Sequence, residues 1–461
     1  MEDVKTLKET LCYKNENAFN KISDEELDRS AAYAEAYKMY LDLAKTEREA
    51  VTYSISLAES AGFVEYKLGD SIVPGGKYYL NNRGKALFLF KCGTDSPEKG
   101  IYISAAHIDA PRLDLKPNPL YEDSGMGFMK THYYGGVKKY QWTAIPLALH
   151  GVVVKRDGSI VDVCIGEDED DPVLYIDDLL IHLSKDQMQK TLAEAIPAES
   201  LNLLVGSEPY KIDTDSPTCL NILNILNTKY GITEEDFLSS ELTAVPAFKA
   251  RDVGLDRSFI GAYAHDDRVC SYAALAALFD STNTEKNVMV ILADKEEIGS
   301  EGVTGMRCAI FDHLLEEIAI ARNANIRKVK AASKCLSADV TAAYDPNFAE
   351  VYEKRNSAFV NCGTAIAKYT GARGKSSTSD ATAELVGYIR KLLNDAGVVW
   401  QIAEMGKADQ GGGGTVAMYI ANRNIDTIDI GVPVLSMHAP FEVVSKLDAY
   451  MTYKAFLAFN N

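Results

Sequence analysis

Apolar residues recur at helical spacing through residues 25–60, a stretch rich in Glu, Ala, Leu, Lys and Tyr. This predicts one or two long helices, with Ser23 and Glu26 as a capping box and Gly62 as the C-terminal stop. The period then changes. ALFLF (86–90) and IYISAAH (101–107) are short continuous apolar runs bounded by turn chemistry such as GTDSPEKG, and they predict buried strands. Between about 112 and 250 the runs are short and β-like (LALHGVVVKR, SIVDVCIG) and alternate with turn clusters (PNPLYEDSGMG, GEDEDDP). This predicts an inserted β-rich domain over 111–249. From about 255 helix and strand patterns alternate. VCSYAALAALFDS predicts a helix, NVMVILA a strand, SDATAELVGYIRKLLNDAG a helix and VVWQIAEM a strand. GGGGTVAMYIANR follows as loop and helix, TIDIGVPVLSMH as a strand, and FEVVSKLDAYMTYKAFLAF as a closing helix. Such alternation predicts an α/β domain with a mainly parallel sheet flanked by helices. That domain is discontinuous, built from 1–110 and 250–461. No internal repeat is evident.

Composition narrows the class. The 461 residues suffice for two or three domains, and 47% hydrophobic with 25% charged residues is ordinary for a globular protein. A net charge of −18 disfavours nucleic acid and anionic membrane as general partners. The eight cysteines form no C-x-x-C pair and read as reduced core residues of a reducing, cytoplasmic compartment. MEDVKTLKETL lacks an apolar signal region, and no apolar run approaches a membrane span.

The chemistry sits where the apolar strands stop. IYISAA ends in His107, with Asp109 two residues on. NVMVILA ends in Asp294, Lys295, Glu296 and Glu297, KCLSA in Asp339, and IDIGVPVLSM in His438. Asp266 and Asp267 precede a helix in AHDDRVCSYAALAAL. Functional groups of open α/β sheets gather at the carboxyl ends of strands. Taken singly, each has a plain structural explanation: a satisfied core histidine, a charged helix N-terminus, a solvated loop, a cap. Together the order His, Asp, Glu-Glu, Asp, His points to a two-metal hydrolase. Adjacent glutamates at the end of a buried strand need a cation, a proton or open water. One would bind metal and its neighbour would move protons. Asp109 would hold His107 by a hydrogen bond to its other ring nitrogen.

These motifs, in this order, resemble the M18 metallo-aminopeptidases, the family of aspartyl aminopeptidase and vacuolar aminopeptidase I. AAHIDAPRLDLKP is similar to the family's first-ligand motif and HDDRVCSYAALAAL to its bridging-Asp motif. ADKEEIGSEGVTGM is similar to its Glu-Glu motif, SADVTAAYDPNF to its second-Asp motif, and LSMHAPFE to the segment carrying the last histidine. The resemblance implies a phosphorylase/peptidase-type sheet and two Zn²⁺ per subunit, with Co²⁺ or Mn²⁺ as substitutes. Asp266 would bridge both ions. His107 and Asp339 would complete one site, Glu297 and His438 the other. Glu296 would be the general base and acid, with Asp109 beside it in the catalytic group. DLLIHLSKD resembles a segment whose histidine reaches a neighbouring subunit's site, so His182 would contact substrate in trans. The inserted domain would make dimer contacts, and dimers would assemble into a tetrahedral dodecamer. The implied reaction is hydrolysis of an acidic or neutral N-terminal residue from short peptides. The chain departs from the aspartyl aminopeptidase pattern at DQGGGGT (409–415), at YYGGVKKYQW, and at GARGKSSTSD, where only Arg373 and Lys375 flank the place of a specificity lysine. Two other readings compete: a two-metal deacylase of N-acyl amino acids, and a particle-forming scaffold of weak catalysis.

Overall fold

The computed structural model describes residues 4–212 and 214–461. Its centre is a nine-stranded mixed sheet. Asn287–Ala293, Ile101–His107, Lys334–Ala338 and Asp426–Gly431 lie side by side in that order, all parallel. Ala86–Lys91 runs antiparallel on one flank, and Thr364–Ala367 antiparallel on the other. The parallel strands are the continuous apolar runs, because they are covered on both faces. In Asn287–Ala293 every residue is buried. Val288, Val290 and Leu292 point into a core shared with the helices Asp24–Leu43, His265–Asp280 and Lys446–Asn460. Met289, Ile291 and Ala293 point the other way, against the helix Ile310–Ala321. The period of two along the strand thus feeds two separate cores.

Residues 25–60 form two helices, Asp24–Leu43 and Glu47–Ser60. Ser23 caps the first by accepting the Glu26 N–H at 3.2 Å. The Glu26 carboxylate pairs with Lys454 of the last helix rather than closing the box. The complete capping box is instead Thr46 with Glu49, at the start of the second helix. Gly62 follows with φ +82, a left-handed stop suited to glycine.

Residues 112–246 build a six-stranded sheet of their own, antiparallel throughout. Its core gathers around Trp142, Leu113, Leu149 and Phe237. An ion network ties it to the second helix: His150 lies 2.7 Å from Glu49 and 3.0 Å from Glu167, and Lys45 lies 2.6 Å from Glu167. A third, five-stranded sheet joins Arg251–Val253, Phe259–Ala262, Glu442–Ser445, Pro433–Leu435 and Thr341–Ala342.

Several elements differ from the pattern-based expectation. TIDIGVPVLSMH is not one strand. Asp426–Gly431 belongs to the central sheet and Pro433–Leu435 to the five-stranded one. The chain changes sheet beside Asp339, so close that a Cβ on Gly431 would lie 1.7 Å from the Asp339 carbonyl oxygen. The first residues of the closing segment, Glu442–Ser445, are strand, and the helix begins at Lys446 under the Ser445 cap. All eight cysteines are free, yet only Cys92, Cys270 and Cys335 are buried, while Cys12 and Cys164 are exposed. Cys164 lies on the open side of an edge strand, and Cys12 just beyond the first helix.

Candidate metal centre

The parallel strands deliver their ligand-type residues to one edge of the sheet. His107 is the last residue of its strand, and Asp339 and the Asp294–Glu297 cluster directly follow theirs. Asp266 and Asp267 arrive from the five-stranded sheet through Ala264, whose backbone is left-handed (φ +63). Lys295 (φ +67) and His438 (φ +66) are left-handed as well. Non-glycine residues in this region are strained, and such strain clusters at functional sites.

The Asp266 carboxylate lies between the two histidines. Its Oδ1 is 3.1 Å from His107 Nε2 and its Oδ2 is 3.1 Å from His438 Nε2. Glu297 Oε1 is 3.3 Å from His438 Nε2, and Asp339 Oδ1 is 3.8 Å from His107 Nε2. Two overlapping groups can each converge on an ion: His107 with Asp266 and Glu297, and His107 with Asp267 and Asp339.

The supporting contacts fix these side chains. His438 Nδ1 faces the Gly136 carbonyl at 2.9 Å, so a residue of the 112–246 region orients it. Glu442 accepts two backbone N–H groups, from Asp266 at 3.0 Å and from His438 at 2.5 Å. Asp109 is fully buried and does more than face His107. His107 Nδ1 is closer to the Asp109 carbonyl (3.0 Å) than to its carboxylate (3.4 Å). That carboxylate accepts the Glu296 and Glu297 N–H groups, each at 3.1 Å, and the Tyr134 hydroxyl at 2.8 Å. Tyr134 in turn lies under the Arg112 guanidinium, 4.0 Å from its ring centre, and Arg112 pairs with buried Glu47 at 3.0 Å. His182 is not brought to this site within the chain. It sits in an exposed turn.

The electrostatics show a shortage of positive charge. Asp109, Asp266, Asp267, Glu296, Glu297, Asp339 and Glu442 share the site with His107 and His438. Burial, reinforced by Asp339, Asp109 and Asp266, pushes Glu296 up to about 8 against the pull of His107. Burial and the Asp266 charge push Glu442 up to about 8. Glu297, Asp267 and Asp339 are raised too, each first by burial. Asp266 is lowered despite its burial, because both histidines bond to it. Burial opposes charge on His438, yet Asp266 and Glu297 raise it to about 10. Glu297 Oε1 and Asp267 Oδ1 are buried without a hydrogen-bond partner. Orphaned carboxylate oxygens beside imidazole nitrogens form a donor set that fits zinc. A cavity of about 600 Å³ opens on Asp266, Glu296, Glu297, Asp339 and His438.

Sequence reasoning missed two contributors. Glu442 and Tyr134 both reach the site through tertiary approach. The only sequence signal was position, Glu442 four residues after His438.

Comparison with known proteins gives the family. A family model described as aminopeptidase I zinc metalloprotease (M18) matches residues 40–460. A probable M18 family aminopeptidase 1 from Clostridium acetobutylicum is 47% identical over 454 residues, covering 96% of this chain and 98% of the relative. The crystal structure of an M18 aminopeptidase from Thermotoga maritima superposes with a TM-score of 0.93 at 43% identity, covering 97% of this chain and 99% of that one. A solved dodecamer of yeast mApe1 shares the fold, with a TM-score of 0.77 at 24% identity over 94% of this chain and 97% of that one.

Proposed function

The chain belongs to the M18 family of aminopeptidases, and from that premise we propose that it removes the N-terminal residue of short peptides at a two-metal centre. The observation that carries this reading is the Asp266 carboxylate, held 3.1 Å from each of two histidines with Glu296 and Glu297 beside it. Asp266 would bridge two ions, His107 and Asp339 would hold one, and Glu297 and His438 the other. The family description supports zinc. Bound there, the ions supply Lewis-acid polarisation of the scissile carbonyl and activation of water.

The chain's own residues do the rest. Glu296 takes a proton from the attacking water and returns it to the leaving amine. Its place on the cavity wall beside the metal ligands suits it to both transfers. Asp109 is a positioning residue: it holds the Glu296 and Glu297 backbone rather than facing the cavity. Replacing Tyr134 by Phe removes one of its donors. The expected result is a kcat loss of about 3- to 10-fold with KM little changed, the effect of one hydrogen bond. A thermal melt within about 2 °C of wild type would show that the loss is local.

The region 111–249 would be an inserted dimerisation domain and 1–110 with 250–461 the catalytic one. Leu179, Leu180, Ile181 and Leu183, all exposed, surround His182. Exposed apolar residues around a polar one support a subunit contact there, with His182 reaching a neighbour's substrate and dimers assembling into a tetrahedral dodecamer. Among the described residues no helix is long and apolar enough to cross a membrane. A cytoplasmic location, without nucleic-acid or membrane partners, completes the proposal.

The test is metal analysis together with hydrolysis of free and N-acetylated peptides. We expect about two ions per chain and cleavage of free N-termini alone. Cleavage of acetylated peptides would replace this reading with a deacylase, and inactivity of metal-replete protein would leave the scaffold.

A further inference from the structure

We propose that the cavity beside the metal ligands receives the side chain of the substrate's first residue, that this residue is neutral, apolar and extended (methionine, leucine or phenylalanine), and that Gly413 and Gly414 set its permitted size. The proposal rests on the aminopeptidase reading above.

The cavity is one continuous space. Its metal-site end carries Glu296 and His438, and its remaining wall includes Met405, Met418, Met437, Ala365 and Ala367. Thioethers on flexible stems adapt to apolar guests of different shape. A volume of about 600 Å³ leaves room for a large side chain as well as the peptide backbone.

The cations on the wall and beside it are already engaged. Arg307 pairs with Glu301 and packs on the Tyr419 ring at 5.6 Å. Asp429 is buried; its Oδ1 accepts the Thr415 hydroxyl at 2.7 Å, its Oδ2 has no hydrogen-bond partner, and burial raises its carboxyl to about 7. Arg373 and Lys375, in the segment that precedes the lining residue Ser377, are both exposed and do not line the cavity. Lys375 lies 2.9 Å from Asp380 and 3.8 Å over the Tyr369 ring. Among the described residues, the wall therefore offers no free cation to an aspartate or glutamate side chain.

The four glycines of 411–414 divide into two pairs. A Cβ on Gly411 would lie 1.7 Å from the Met405 carbonyl oxygen. One on Gly412, where φ is +110, would lie 2.5 Å from Ala372 Cα. The turn itself requires both. A Cβ on Gly413 meets nothing nearer than Met405 Sδ at 3.8 Å, and one on Gly414 nothing nearer than the Ser377 carbonyl at 3.7 Å. Their φ values are outside the left-handed range. Packing does not demand glycine at 413 or 414, yet both border the cavity. The space kept clear there is space for a guest.

The experiment compares kcat/KM for peptides that differ only in the first residue (Ala, Leu, Met, Phe, Asp, Glu or Lys), for the zinc-loaded wild type, Gly413→Ala, Gly414→Val and Met405→Ala. Wild type is expected to favour Leu, Met or Phe over Asp, Glu and Lys by about 10-fold or more. Gly414→Val is expected to lower the Phe:Ala ratio by about 10-fold or more, Gly413→Ala to lower it less, and Met405→Ala to raise it. A wild-type preference for Asp or Glu overturns the proposal. So does a preference for Lys, which would make Asp429 the reader. Unchanged ratios in glycine variants of wild-type circular dichroism overturn the assignment of size. Should Gly414→Val fail to fold, Gly413→Ala and Met405→Ala decide. Failure of wild type on every free peptide would bring down the aminopeptidase reading itself, an outcome distinct from hydrolysis with the wrong preference.

Discussion

Replacing Glu296 by Gln is expected to lower kcat by about 10²- to 10⁴-fold, the range spanned by a positioned acid–base group. The substitution is nearly isosteric. It keeps the backbone N–H that binds Asp109 and leaves His107, Asp266, Glu297, Asp339 and His438 intact. Metal content and KM should therefore stay near wild type while proton transfer is lost. The pH profile gives an independent readout. As a base Glu296 must be deprotonated, so kcat/KM of wild type falls as pH drops through its pKa. Burial and the neighbouring carboxylates hold that pKa at about 8 in the metal-free chain. Bound cations bring it down, which moves the limb to lower pH. The Gln variant should lack that limb. A variant retaining a tenth or more of wild-type kcat would remove Glu296 from the proton-transfer role.

Stripping the metal is expected to abolish hydrolysis and to make stability fall as pH rises from about 6 to about 9. The sign follows from linkage. Glu296 and Glu442 are raised to about 8, so above the ordinary carboxylate range the folded protein holds protons that the unfolded chain has released. His438, raised to about 10, and His107, also raised, act in the same direction above the ordinary histidine value. The folded state binds more protons throughout this window, so the unfolding free energy decreases with pH. Asp266, lowered, has the opposite sign, but only at pH below the ordinary aspartate value. Ions replace these protons as the balancing charge. Loaded protein should therefore show a much flatter profile. Apparent Tm of chelated protein at pH 8.5 should lie about 3 °C or more below its value at pH 6. Parallel curves for chelated and loaded protein would mean that the carboxylate cluster is not the metal site.

The legible parts of this molecule were those whose role is written locally. Asn287–Ala293 is fully buried, so its apolar run and abrupt charged end mark a central strand and its functional tip without further context. The same holds for His107 and for Asp339. Lys334–Ala338 and Ile101–His107 were recognisable as strands because sheets covered on both faces need unbroken apolar runs. The change of sheet at Val432 was not legible, since GVPVL continues the apolar pattern and only the approach of Gly431 to Asp339 reveals it. Glu442 looked like a residue at a helix start, but it accepts two N–H groups across the site. Tyr134 closes the strand Met126–Tyr134 and Asp109 lies in the loop after Ile101–His107, and nothing in either local sequence announces that their side chains meet. His182 shows the reverse limit. Its motif was readable, but a single chain leaves it in an exposed turn.

The ligand-type residues stand far apart along the chain: Asp266 follows His107 by 159 positions. Until residue 266 has been made His107 stands alone among the proposed ligands, and it waits through the whole 112–246 sheet for its nearest companion. An ion caught at this centre would consequently ignore incomplete chains and reward finished ones, since a ligand that binds only the native state adds its own affinity to that state's stability.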